Sequence, residues 1–179
     1  MFETTRRNIG LFFARAVLFN RKTQQVNFSK IFSKAVSALV IIPERADERK
    51  TALSFLSQMQ TKFNGNRLTV VINDSVKDVP TTVARSKVII VEKEHRNFFF
   101  LPNHHEIKDL LTRKFDCIVD LNMQLEPVAA YLCKGIDAPL KVGFAKEHGD
   151  VFYNFQVNIS QQRNAALRYE QMFKMLSMF

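Results

Sequence analysis

Five short runs dominated by aliphatic residues constrain this chain more than any other feature. They are Ala38–Ile42, Leu68–Ile72, Val88–Val91, Phe115–Leu121 and Leu140–Phe144, and their apolar residues follow one another with little polar alternation. A strand with one face in water alternates; a strand covered on both faces has no reason to. The segments between the runs have helical spacing. Ala52, Leu56, Met59 and Phe63 form one stripe ended by Asn64-Gly65-Asn66, and Ile107, Leu110 and Leu111 form another after Asn103, with Glu106 completing a capping-box pattern. Glu126 to Lys134 is a third helix, closed by Gly135, and Ser160 caps a last one through Tyr169, Met172, Phe173 and Leu176. Strands that alternate with helices imply right-handed crossovers and parallel pairing. The expectation is a three-layer Rossmann-like α/β domain with a mostly parallel sheet of five to six strands. Val151, Tyr153, Phe155 and Val157 alternate with polar residues and supply its half-exposed edge strand.

The 179 residues fit one such domain, with residues 37–179 as its body and residues 1–36 as a basic helical arm. The arm carries much of the charge. Of a net +9, residues 1–36 contribute seven basic side chains against Glu3, or +6, which leaves +3 for the remainder. Ile9, Phe12, Phe13, Ala16 and Val17 recur on one face of a helix from Thr5 to about Lys22, with Arg6, Arg7, Arg15, Arg21 and Lys22 on the rest. That face has three destinations open: the domain itself, an anionic membrane surface, or the phosphates of RNA. The run is too short to span a bilayer and Arg15 interrupts it, which excludes an export signal. Cys117 and Cys133 have no metal-like spacing, and read as reduced thiols of a cytoplasmic protein.

Ligands of open α/β sheets collect where strands end, which makes Asp120 and Asn122, at the end of the fourth run, candidate ligand-binding residues. Both also have a structural reading, as partners of neighbouring backbone. The turn after the first strand, Pro43-Glu44-Arg45-Ala46-Asp47, has no glycine and so no dinucleotide cradle. Asp47 stands where a catalytic base would be useful, or it is a first-turn acid favoured by the helix dipole. No metal or cofactor is expected. The triplet Phe98-Phe99-Phe100, near Arg96 and Lys93, forms a lip for the core or for a partner.

Phe115-Asp116-Cys117-Ile118-Val119-Asp120-Leu121, then a helix, then Leu140-Lys141-Val142-Gly143-Phe144 resembles the FDxxIDL–helix–KxGF segment of heptosyltransferase-type (family 9-like) glycosyltransferases. The likeness covers about residues 38–158 and corresponds to the N-terminal, acceptor-side half of those enzymes. It is shared by short bacterial proteins with a basic N-terminal helix and this single half. The resemblance implies that Asp47 is nearest to the presumed catalytic base, although the glycine that precedes that base is Ala46 here. The second domain, which holds the sugar nucleotide in that family, has no counterpart. The expectation is a non-catalytic interaction module, cytoplasmic and peripheral to the inner membrane. The alternatives are a glycosyltransferase subunit completed by a homodimer or partner, and an RNA- or ribosome-associated protein.

Overall fold

A computed structural model describes residues 2–17, 30–72, 86–159 and 164–179. Six strands form one sheet in the order β3-β2-β1-β4-β5-β6, and every pairing is parallel. They are β1 (Ala38–Ile41), β2 (Leu68–Ile72), β3 (Lys87–Ile90), β4 (Cys117–Asp120), β5 (Leu140–Phe144) and β6 (Phe155–Val157). Val40 sits in register with Val70 on one side and Val119 on the other, so β1 and β4 are the sheet's centre. The order reverses between them: the chain winds outward from β1 through β2 to β3, then returns to β4 and winds the other way. This is the doubly wound arrangement of a Rossmann-like fold.

The missing alternation has its cause in two apolar layers. Ala38, Val40 and Ile42 point to one face, with Cys117, Val119 and Leu121 beside them, under α3 (Ala46–Lys62) and α6 (Ala165–Ser177). Leu39, Ile41 and Ile118 point to the other, under α4 (His104–Leu111) and α5 (Pro127–Gly135). A period of two thus delivers apolar side chains to both layers. The two outer strands are the half-exposed exceptions: β3, with Ile90 turned to solvent, and β6, with Phe155 and Gln156 partly exposed. Short α2 (Ile31–Lys34) buries Phe32 in the first layer and bonds back to the C-terminus through Ser33 N and Phe179 O, 3.2 Å.

Three local expectations change. Val151 falls in a 3-10 turn that follows His148, whose φ is 59°, so the last strand is confined to Phe155–Val157. Asn103 precedes α4 without a side-chain capping bond, and Glu106 lies 3.9 Å from His95, so no reciprocal box closes. The start of α6 is capped by Asn164, which accepts from Ala166 N at 2.8 Å; Ser160 lies outside the described residues.

The destination left open for α1 (Phe2–Val17) divides: the helix packs on α5, but through a side adjacent to the apolar face that its periodicity marks. Ala14 and Gly10 are buried, whereas Ile9, Phe12 and Phe13 are 37%, 65% and 39% exposed. Small residues win the interface because the backbones approach closely. A Cβ on Gly10 would run into the carbonyl oxygen of Phe99 and stand 3.5 Å from Pro127 Cβ. The docked stripe is Arg7–Gly10–Ala14, and the phenylalanines are left facing out. Gly10→Ala separates the two arrangements by sign. In a free helix it stabilises by about 1 kcal/mol; in the seated helix it destabilises by roughly 1–3 kcal/mol. Urea denaturation with a lower midpoint is expected, and a higher midpoint would show that α1 is not seated this way.

Candidate functional site

The strand ends carry the polar chemistry of the molecule, and both acids of the 115–121 run have assignable work there. Asp116, at the start of β4, accepts from Val36 N (2.9 Å), Ser37 N (2.8 Å) and Ser37 Oγ (3.0 Å), which fastens β4 to the segment entering β1. Burial opposes its ionisation, but the bonds from Val36 and Ser37 outweigh it and hold the carboxyl below the usual range. Asp120 stands at the other end, where the strands deliver their C-termini.

Asp120 is fully buried and all its bonding capacity is used internally. Its Oδ1 accepts from Asn122 N at 3.0 Å and Asn122 Nδ2 at 2.6 Å. Its Oδ2 accepts from Lys146 Nζ at 2.8 Å and from the Tyr153 hydroxyl at 2.5 Å. Asn122 then accepts from Glu44 N through Oδ1, 3.0 Å, and so bridges the crevice between β4 and β1 where the strand order reverses. The Lys146 side chain is 4% exposed. An ammonium and a carboxylate taken out of water together stand or fall as a pair. Burial, then the charge of Asp120, pushes the Tyr153 hydroxyl well above its ordinary range, so it remains a proton donor. The Tyr153 ring lies where a side chain on residue 143 would be: a Cβ there would meet it at 2.9 Å, which is the reason for Gly143 in β5.

A second group closes the same edge from above. Arg7, from α1, reaches Glu126 Oε2 at 2.5 Å and Glu44 Oε2 at 3.8 Å. Glu44 in turn holds Arg96 Nη1 at 2.6 Å, and Arg96 also donates to Val91 O at 3.3 Å. Glu126 is 2% exposed at the start of α5. Burial pushes its carboxyl up to about 8; Arg7 opposes the shift, and the nearby charges of Glu44 and Asp120 add to it.

The structure thus brings Asp120 and Asn122 together, and places Asp47 elsewhere. Asp47 is on the exposed first turn of α3, bonded to Arg45 Nη2 at 3.1 Å. The hydrogen bond from Arg45 lowers its pKa, so it is a weaker base than a free aspartate. Its neighbour Glu48 is the inward acid, accepting from Met123 N at 3.1 Å. Of the five basic residues expected to meet an anionic surface, Arg7 is turned into the protein and Arg6 donates to Phe98 O, at 2.9 Å, and lies 4.0 Å over the Phe98 ring. Arg15 is exposed, and Arg21 and Lys22 lie outside the described residues. Lys146 and Tyr153 were not legible as site residues. Lys146 stands two positions past β5, the same offset that drew attention to Asn122 past β4, and that was the available signal. Among the described residues no cluster of His, Cys, Asp and Glu has the makings of a metal site. Cys117 and Cys133 are free, buried thiols whose pKa values burial pushes up.

Glu126 gives this edge a pH dependence of known sign. Its folded value of about 8 stands above the ordinary 4.5, so folding favours the protonated form. Its contribution is fully present below pH 4.5 and is lost as pH rises toward 8. Thermal melts of the native chain should therefore fall across that window more than those of Glu126→Gln, by an amount on the order of 2 kcal/mol. Parallel profiles for the two proteins would contradict the assignment.

Comparison with known proteins places these features. No curated protein sequence matches the chain. Among solved structures, E. coli heptosyltransferase WaaC with ADP is similar at 20% identity and a TM-score of 0.57, covering 78% of this chain and 46% of that one. A glycosyl transferase family 9 protein from Veillonella parvula is similar at 17% identity and the same TM-score, 0.57, covering 88% of this chain and 44% of its own. At these identities the likeness is one of fold, and the chain spans less than half the length of either neighbour. A family model described as a family of unknown function, DUF6913, matches residues 11–179. The chain, an α/β protein with the fold of about half a family 9 glycosyltransferase, belongs to the DUF6913 family.

Proposed function

We propose that this protein is a non-catalytic interaction module that works on the cytoplasmic side of an anionic membrane, with α1 as its contact element. The observation that carries the reading is the outward face of that helix. Phe2, Ile9 and Phe13 share a stripe with Arg6, and Phe2, Phe12 and Phe98 are 89%, 65% and 65% exposed. The rings are continuous: Phe12 meets Phe13, Phe13 meets Phe99, and Phe99 meets Phe98, with centroid separations of 6.1, 5.3 and 5.4 Å. Aromatic side chains edged by arginine suit the boundary between lipid headgroups and acyl chains. The excess positive charge of residues 1–36 suits an anionic leaflet. No helix among the described residues is long and apolar enough to cross a membrane, which fits a peripheral placement. The free thiols fit a reducing compartment.

The strand edge supports the non-catalytic half of the reading. A general base needs an accessible carboxylate, and Asp120 is enclosed by Lys146, Tyr153 and Asn122. Arg7 lies across the acids beside it. The competing reading, a glycosyltransferase subunit completed by a second protein or copy, rests on the shared fold.

Vesicle flotation tests the membrane contact. The chain should float with phosphatidylglycerol-containing vesicles, and Phe12→Ser/Phe13→Ser should lower partitioning by roughly tenfold or more, given the transfer energy of two rings. Equal flotation of variant and native protein would remove α1 from the account. Calorimetric titration with ADP-heptose should give no heat of binding, and saturable binding would favour the glycosyltransferase subunit instead. RNA that co-purifies and binds in a salt-sensitive way would point to nucleic acid.

A further inference from the structure

Beside the outward face of α1 lies a groove that the strand-edge network does not use. Its cavity is about 410 Å³, within the size range of small-molecule sites, roughly 300–1,000 Å³. One wall is the third side of α1, with Leu11, Phe12 and Arg15; the other is the turn after β5, with His148, Val151 and Phe152. Leu125 adds to the apolar lining. We infer that this groove binds one monomeric anionic lipid, its acyl chain between Leu11, Phe12, Val151 and Phe152 and its phosphate between Arg15 and His148.

Charge complementarity selects the head. Arg15 is exposed and has no ion-pair partner among the described residues, so it stands ready for an anion. His148 lines the same groove from the turn after β5, with its backbone in a left-handed conformation at φ 59°. Glu147 is the one acid of the lining, but its side chain is 91% exposed and free to turn to solvent, and it lies 3.7 Å from His148. Lys146 is directed inward to Asp120 and does not compete for the anion. The apolar part of the lining suits a tail: Phe12 is exposed, and Leu11, Leu125 and Val151 are half-buried along the walls, with Phe152 beneath them in the core. Continuity supplies the source: Phe12 both lines the groove and belongs to the exposed aromatic face, so the groove opens beside the surface assigned to the membrane. The inference therefore deepens the membrane reading and rests on it for the origin of the lipid.

The test uses soluble lysophosphatidylglycerol below its micelle concentration, titrated calorimetrically into the full chain without vesicles. One molecule should bind per chain. Lysophosphatidylcholine and glycerol phosphate, which lack the net charge and the tail respectively, should bind at least roughly fivefold more weakly, and Arg15→Gln should weaken lysophosphatidylglycerol by a similar factor. Val151→Trp should abolish binding by filling the groove, while its flotation remains that of the native chain because Val151 is not on the outer face. Native protein that floats but does not bind the monomer refutes the groove and leaves the surface contact standing. Monomer binding without flotation does the reverse. Binding that survives Val151→Trp, or that is equal for all three compounds, also overturns the proposal.

Discussion

The ion pair between Asp120 and Lys146, enclosed at the C-terminal ends of β4 and β5, governs the layout of everything around it. A buried carboxylate is tolerated where its charge is matched and its lone pairs are occupied, and Asp120 meets both conditions through Lys146, Tyr153 and Asn122. Each partner commits a different piece of chain. Lys146 fixes the turn after β5, Tyr153 fixes the return toward β6, and Asn122 reaches across to Glu44 behind β1. Gly143 follows from the same demand, because the Tyr153 ring must cross β5 closely to present its hydroxyl. A second tyrosine, Tyr169 of α6, donates to Leu121 O at 3.0 Å and ties the opposite layer to the same strand end.

This arrangement changes what the edge of the sheet is for. In an open doubly wound sheet the crevice at the reversal point is the usual place for a ligand. Here Asn122 spans it and Arg7 lies above it between Glu126 and Glu44. The N-terminal helix is therefore part of the body's electrostatics through one side and a presenting surface through another. Gly10 and Ala14 make the seat close, Arg7 bonds to the buried Glu126, and Phe12 and Phe13 are left facing outward. The functional reading moves from the strand ends to the helix for that reason.

The fold was legible because two covered faces leave a direct mark on composition: Val40, Val70 and Val119 come from three runs without alternation, and they lie side by side in register. Asp120 and Asn122 were legible as strand-end residues, since a polar pair that closes an aliphatic run must emerge at the sheet's edge. Their enclosure was not, because it depends on Lys146 and Tyr153, which are 26 and 33 residues away in sequence. The side of α1 that meets the body was left open for a related reason. Hydrophobic periodicity weighs side-chain area, whereas a helix seated by close backbone approach selects small residues, and its interface is marked by Gly10 and Ala14 rather than by Phe12 and Phe13. Arg7 looked like surface charge because nothing local in sequence announces Glu126 as its partner.

The central claim is that Asp120 and Lys146 hold the domain together as a mutually dependent pair, and a double-mutant cycle measures it directly. Chemical denaturation of Asp120→Asn and of Lys146→Met should each show a loss of roughly 3–5 kcal/mol, since either leaves a buried charge unmatched. The double variant should recover most of that loss, with a coupling energy well outside the usual additivity error of about 0.5 kcal/mol. Small single losses that simply add would contradict the account and return Asp120 to the list of groups available for chemistry.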